Sequence, residues 1–124
     1  MHRSATIYKM GKVFILCILI PINILGCEKL GLKIDVPNCI ENKIKEFKDS
    51  PLACDSRAKV LRYYFLDSQV YVFEPGDCGA DLPTDVYDSN CNIICTLGGY
   101  AGNTICQGVN FEENATNKIL VWGK

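Results

Sequence analysis

Eight cysteines in 124 residues constrain this chain more than any other feature. Cys17 and Cys27 stand in, or directly after, an apolar leader. The other six, Cys39, Cys54, Cys78, Cys91, Cys95 and Cys106, are spread through the remainder. A short chain buries little apolar surface, and in an oxidising compartment an even set of thiols staples such a domain together. Three disulfides are therefore expected. Zinc is the rival explanation for six thiols. Cys91 and Cys95 have a plausible ligand spacing, but no second close pair matches them, so no metal is expected. Six thiols allow many pairings. The bridge expected first is Cys95–Cys106, which would clamp a glycine-rich bend at 98–103.

The first 26 residues have the order of a secretory signal. Arg3, Lys9 and Lys12 make a positive start, no acidic residue precedes Glu28, and 13–25 is an apolar run broken only by Pro21 and Asn23. As a helix at about 1.5 Å per residue it would span roughly 20 Å, short of the ~30 Å hydrocarbon core, which suits a signal segment better than a permanent span. The run closes on Ile24-Leu25-Gly26-Cys27, which resembles the lipobox of bacterial lipoproteins. Gly26 is small enough for the peptidase pocket, and the Cys27 thiol is the nucleophile that takes a diacylglyceryl group. Leu25 departs from the pattern, since a smaller residue is more usual there. On this reading 1–26 is a signal peptide that leaves with Cys17, Cys27 carries the lipid, 27–37 is a tether and 38–124 is one Cys-rich domain. Stable anchoring takes more than one acyl chain, each buried CH₂ contributing about 0.8 kcal/mol.

The mature chain excludes several function classes. The leader removes three of 13 basic residues and none of 14 acidic ones, leaving a formal charge of −4. A mildly acidic domain without a basic run has no electrostatic footprint for nucleic acid. The one histidine, His2, lies in the leader. Mechanisms that need a histidine base are thus excluded from the mature domain, and no cofactor is expected.

The pattern along 38–124 predicts an α+β domain, one N-terminal helix packed on an antiparallel sheet of four to five strands. Ile40, Ile44 and Phe47 form a helical stripe, with Asn38 and Glu41 expected as a capping-box variant and Asp49-Ser50-Pro51 as the stop. Strands are expected over 59–66, 70–73, 85–88, 91–97 and 118–122, with Asp67-Ser68-Gln69 joining the first two. Residues 28–36 show no clear period and read as the tether. In the first hairpin both faces are apolar, so Tyr63, Phe65, Tyr71 and Phe73 could form an exposed aromatic platform for a ligand. The blander account, preferred here, covers them with the loops after Pro75 and Cys106.

The other constellations are weak. Asp77, Asp81, Asp85 and Asp88 could offer oxygen ligands to Ca²⁺, but their spacing matches no EF-hand, and a solvated acidic loop explains them better. The bend at 98–102 lacks the order of a nucleotide-binding loop and has no lysine for a phosphate. Asn114-Ala115-Thr116 is a sequon without a role in a bacterial cell. No catalytic residue emerges.

From Asn38 onward the chain resembles a family of small uncharacterised bacterial envelope lipoproteins. The likeness rests on Asn38-Cys39-Ile40, on Val70-Tyr71-Val72-Phe73, on the stretch from Val86 through Asp88-Ser89-Asn90-Cys91 to Cys95, and on Gly98-Gly99 and Cys106. It implies the topology and an envelope location and brings no activity, cofactor or catalytic residue; the lipid anchor is expected to hold the domain at the outer membrane, on its periplasmic or surface face. The reading that follows is a non-enzymatic module, held to the membrane by lipid on Cys27, that binds a protein or a small ligand. One alternative is an inhibitor or immunity-type protein that blocks a hydrolase with Glu74-Pro75-Gly76-Asp77-Cys78 as a wedge. Another is a histidine-free hydrolase working through carboxylates.

Overall fold

The computed structural model describes residues 30–124. Helix α1 (Asn38–Lys48) comes first, followed by β1 (Lys59–Phe65), β2 (Ser68–Glu74), β3 (Pro83–Asp88) and β4 (Ile93–Gly98). A two-stranded ribbon of β5 (Ile105–Cys106) and β6 (Val109–Asn110), a four-residue helix α2 (Phe111–Asn114) and β7 (Ala115–Gly123) complete the chain. The main sheet is antiparallel in the order β4-β3-β2-β1-β7. The expected α+β architecture is thus present, with the ribbon and α2 added.

Helix α1 forms as its stripe predicts. Ile40 and Ile44 are fully buried, and Phe47 packs edge-on to Phe73 and Trp122. The capping box does not form: Pro37 stands at the N-cap and Asn38 is already helical, so Glu41 is free to pair with Lys45 at 3.1 Å. The segment read as a featureless tether is also different. Leu30, Leu32, Ile34 and Val36 alternate with exposed residues and pack on the core, and the Lys33 amide donates to the Val121 carbonyl at 2.8 Å. The folded unit therefore includes residues 30–37. This segment lies along β7, an edge strand that would otherwise show open backbone groups. Val121 and Trp122 are neighbours yet both are buried on the helix side. A bulge allows it, because Val60 pairs with Trp122 while Leu61 pairs with Leu120.

The β1–β2 turn corrects the expected hairpin. It consists of Leu66 and Asp67 alone, both left-handed at φ 45° and 63°, and not of Asp67-Ser68-Gln69. The register consequently places Phe65 opposite Ser68 and Tyr63 opposite Val70. Had the three-residue connection formed, Phe65 would face Tyr71 and Tyr63 would face Phe73. The observed turn puts Tyr63 and Phe65 on one face, and Tyr71 and Phe73 on the other.

Each sheet face carries its own core. Ile40, Ile44, Val60, Tyr71, Phe73, Val121 and Trp122 fill the space under α1. On the opposite face Leu61, Phe65, Val70, Val72 and Val86 are covered by Cys106 and Phe111 from the 99–114 excursion. Three disulfides brace the whole: Cys39–Cys91, Cys54–Cys78 and Cys95–Cys106, the last as expected.

Candidate functional site

The aromatic platform is not a surface. Phe65, Tyr71 and Phe73 are buried, and Tyr63 is half-buried against Phe111. The pleat splits the four between two cores, so they never share one exposed face. Burial drives the Tyr71 hydroxyl up from its ordinary pKa, partly offset by Arg62 and a hydrogen bond with Ser89. Nor does Glu74-Pro75-Gly76-Asp77-Cys78 protrude as a wedge. Pro75 is buried and its carbonyl accepts from the Cys54 amide at 2.9 Å, while the Asp77 amide donates to Ser56 O. A side chain at Gly76 would strike the Ser56 carbonyl, so this stretch is clamped onto 54–58.

The four aspartates part company. Asp77 pairs with Arg57 at 3.0 Å, Asp85 accepts from the Thr96 hydroxyl at 2.9 Å, and Asp81 occupies a left-handed turn position. Asp88 accepts from the amides of Asn90 and Asn92 at 2.9 Å each and from Asn92 Nδ2 at 3.1 Å. Slight burial opposes ionisation there, but these bonds outweigh it and hold the carboxyl below its usual range. Asp81 and Asp88 thus serve turns, while Asp77 and Asp85 are engaged by Arg57 and Thr96; among the described residues no cluster could hold a metal ion.

Among the clefts of the described residues, one on each face of the sheet bears on the site. The larger, about 640 Å³, lies beside Phe111 and is floored by Tyr63, Val72 and Leu97. Its charges are matched in pairs: Arg57 with Asp77 and Lys59 with Glu74, both at 3.0 Å. The smaller, about 260 Å³, opens between α1 and β3 and is lined by Phe47, Phe73, Tyr87 and Leu52. Lys43 Nζ sits 5.4 Å from the centre of the Tyr87 ring. Burial, then the charges of Asp85 and Glu46, raise the Tyr87 pKa and keep its hydroxyl protonated.

Among the described residues the most exposed large apolar side chain is elsewhere. Tyr100 is 95% exposed at the tip of the glycine-rich bend. The bend is rigidly held. Gly98 and Asn103 exchange two backbone bonds of 2.8 and 3.0 Å, and the Gly102 amide donates to Gly99 O at 3.0 Å. Asn103 Nδ2 donates to Thr96 O at 2.7 Å and to Ile105 O at 3.1 Å, and the Ile105 amide returns a bond to Asn103 Oδ1 at 3.1 Å. Gln107 Nε2 donates to Ile94 O at 2.7 Å, so two side-chain amides occupy carbonyls of edge strand β4. Cys95–Cys106 closes the base of the excursion. Left-handed glycines at 98, 99 and 102 let the chain turn this tightly. The sequence reading saw the bend and its clamp but overlooked Tyr100. The signal was available: a lone aromatic flanked by glycine and alanine has no neighbours to bury it.

Three disulfides on an α+β scaffold define a stapled domain of an extracytoplasmic compartment. The chain belongs to a family described as a domain of unknown function (DUF6970), whose model matches residues 45–124. No curated protein and no solved structure matches it. The matched span begins inside α1. Two bridges fall within it, while Cys39–Cys91 ties the preceding segment to it. The leader, with Cys17 and the Ile24-Leu25-Gly26-Cys27 motif, lies outside the described residues.

Proposed function

We propose that this protein is a lipid-anchored module of the bacterial envelope that binds without catalysing, and that it engages its partner through the braced bend at 98–103. Tyr100 carries this reading. An exposed aromatic ring costs apolar hydration, and interfaces are anchored by rings of this kind. Ordering of the loop is prepaid by the Asn103 bonds and the Cys95–Cys106 bridge, so contact sacrifices little chain entropy. The anchor is supported by the leader and by Cys27 following Gly26. If the protein is instead an inhibitor of a hydrolase, this bend takes the role first given to Glu74-Pro75-Gly76, which packs inward.

The test replaces Tyr100 with a photo-crosslinking phenylalanine analogue in growing cells. Illumination is expected to join position 100 to one dominant protein or lipid species, while the same analogue at exposed Gln69, at the opposite end of the sheet, yields none. Intact-mass measurement is expected to show cleavage before Cys27 and a di- or triacylated terminus. A purified domain that crosslinks to nothing yet cleaves a glycan or peptide panel would overturn the binding reading.

A further inference from the structure

We infer that the surface met by Tyr100 is the lipid bilayer itself: the end of the sheet bearing Tyr100 and Leu52 rests in the headgroup layer of the membrane that holds Cys27. The inference rests on acylation of Cys27 and names the partner of the bend.

The two ends of the sheet differ. One carries the Leu66-Asp67 turn, the 89–92 turn and, through Cys39–Cys91, the start of α1. The other carries the start of β1 at Lys59, the ends of β2 at Glu74 and β7 at Gly123, and Gly98 at the base of the Tyr100 bend. The N-terminal segment is fastened near this second end. Lys33 bonds to Val121, and Val121 is next to Trp122, the partner of Val60, the second residue of β1.

Chain length then limits where the domain sits. Cys27 precedes Leu30 by three residues, so an extended chain of ~3.6 Å per residue separates them by at most ~11 Å. Because 30–36 is docked on the core, it provides no slack. The five-stranded sheet is only ~19 Å wide at ~4.8 Å per strand spacing. A lipid on Cys27 therefore keeps the β7 edge near the headgroups, and the Tyr100 bend at the β4 edge is one sheet width away, close enough to reach the same surface when this end faces it.

That end is equipped for the contact. Tyr100, at 95%, is the most exposed large apolar side chain among the described residues and lies there, with Leu52 at 59% beside Pro75 and Pro83. Ile93 at 55% and Leu66 at 50% lie at the opposite end, so Tyr100 is what distinguishes this one. Tyrosine favours the interface because its ring is apolar and its hydroxyl stays wet. The charges nearby are largely neutralised, with Arg57–Asp77, Lys59–Glu74 and Lys124–Asp55 paired. Neither strong attraction nor strong repulsion by anionic lipid follows, so apolar insertion sets the contact.

The acylated full chain carrying Tyr100→Trp, reconstituted into phosphatidylcholine vesicles with brominated acyl chains, tests this. The native Trp122 is buried and serves as the internal reference. The added emission is expected to shift to the blue and to lose most of its intensity with shallow bromines, less with deep ones, and to be unchanged by salt. Vesicles that pellet with the acylated protein while the reporter stays unquenched and open to aqueous iodide would overturn the inference. Acylation would then stand and the bend would be left to a soluble protein. Protein that fails to pellet and shows no acyl mass would overturn the anchor and the inference together.

Discussion

The two faces of the sheet are closed by different means. Under α1, a regular helix and the docked 30–37 segment bury Val60, Tyr71, Phe73, Val121 and Trp122. Across the sheet, Leu61, Phe65, Val70 and Val72 lie beneath an irregular excursion in which Phe111 is the plug and Cys95–Cys106 the hinge pin. A helix satisfies its own backbone and can cover a face by packing alone. An irregular cover must have its backbone groups met by side chains and its path fixed by a covalent link. Both covers carry a disulfide, Cys39–Cys91 at α1 and Cys95–Cys106 here; what the second face adds is the side-chain bonds of Asn103 and Gln107, and it leaves a cleft of about 640 Å³ beside its plug.

Truncations in the two cores set the comparison most sharply. Ile44→Ala is expected to cost about 4 kcal/mol and Phe111→Ala only about 3, although phenylalanine loses more atoms, because the open cleft lets the second site relax. Urea unfolding checks this, and a larger loss at Phe111 would break the contrast. Next come the bridges. Replacing both Cys39 and Cys91 by serine frees a 52-residue separation and should cost about 4 kcal/mol in the chain-entropy model. The Cys95/Cys106 pair, separated by 11, should cost about 3 kcal/mol, with native-state amide exchange rising first in 99–110.

Asn103→Ala is smaller, about 1–2 kcal/mol, since it strips three hydrogen bonds from an exposed bend. Its effect should stay on the loop-covered face, leaving α1 amides protected. The mildest effect concerns Asp88. Its folded pKa lies below the value of about 3.9 in an unfolded chain, so its contribution is complete above that pH and is lost as pH falls through the folded value. Thermal melts between pH 5 and 2 should show a shallower acid loss in Asp88→Asn than in the wild type. An unchanged slope would show that the bonds from Asn90 and Asn92 hold the turn without favouring the charge.

What could be read in advance follows the same division. The helix was legible because Ile40, Ile44 and Phe47 repeat at its own period, and the strands because apolar runs end in turn residues. The Cys95–Cys106 bridge was legible because the bend between them brings its ends together locally. The hairpin register was not, because Leu66 is an unusual residue for a left-handed position and Asp67-Ser68-Gln69 has the local composition of a three-residue loop. That single turn moved Tyr71 and Phe73 to the face opposite Tyr63 and Phe65. The alternation of Leu30, Leu32, Ile34 and Val36 is present in the sequence, but what it packs against is not, since Val121, which bonds Lys33, is distant in the chain.

By itself the chain determined the even thiol set, the placement of its one imidazole at His2, and the kinds of element it forms. These depend on residue type and on neighbours a few positions away. Only the tertiary structure decided that Cys39 meets Cys91 and Cys54 meets Cys78, that the wedge segment turns inward, and that the 30–36 segment docks on the core beside β7. Each is a pairing across many residues, set by strand register and competing burial rather than by any local preference.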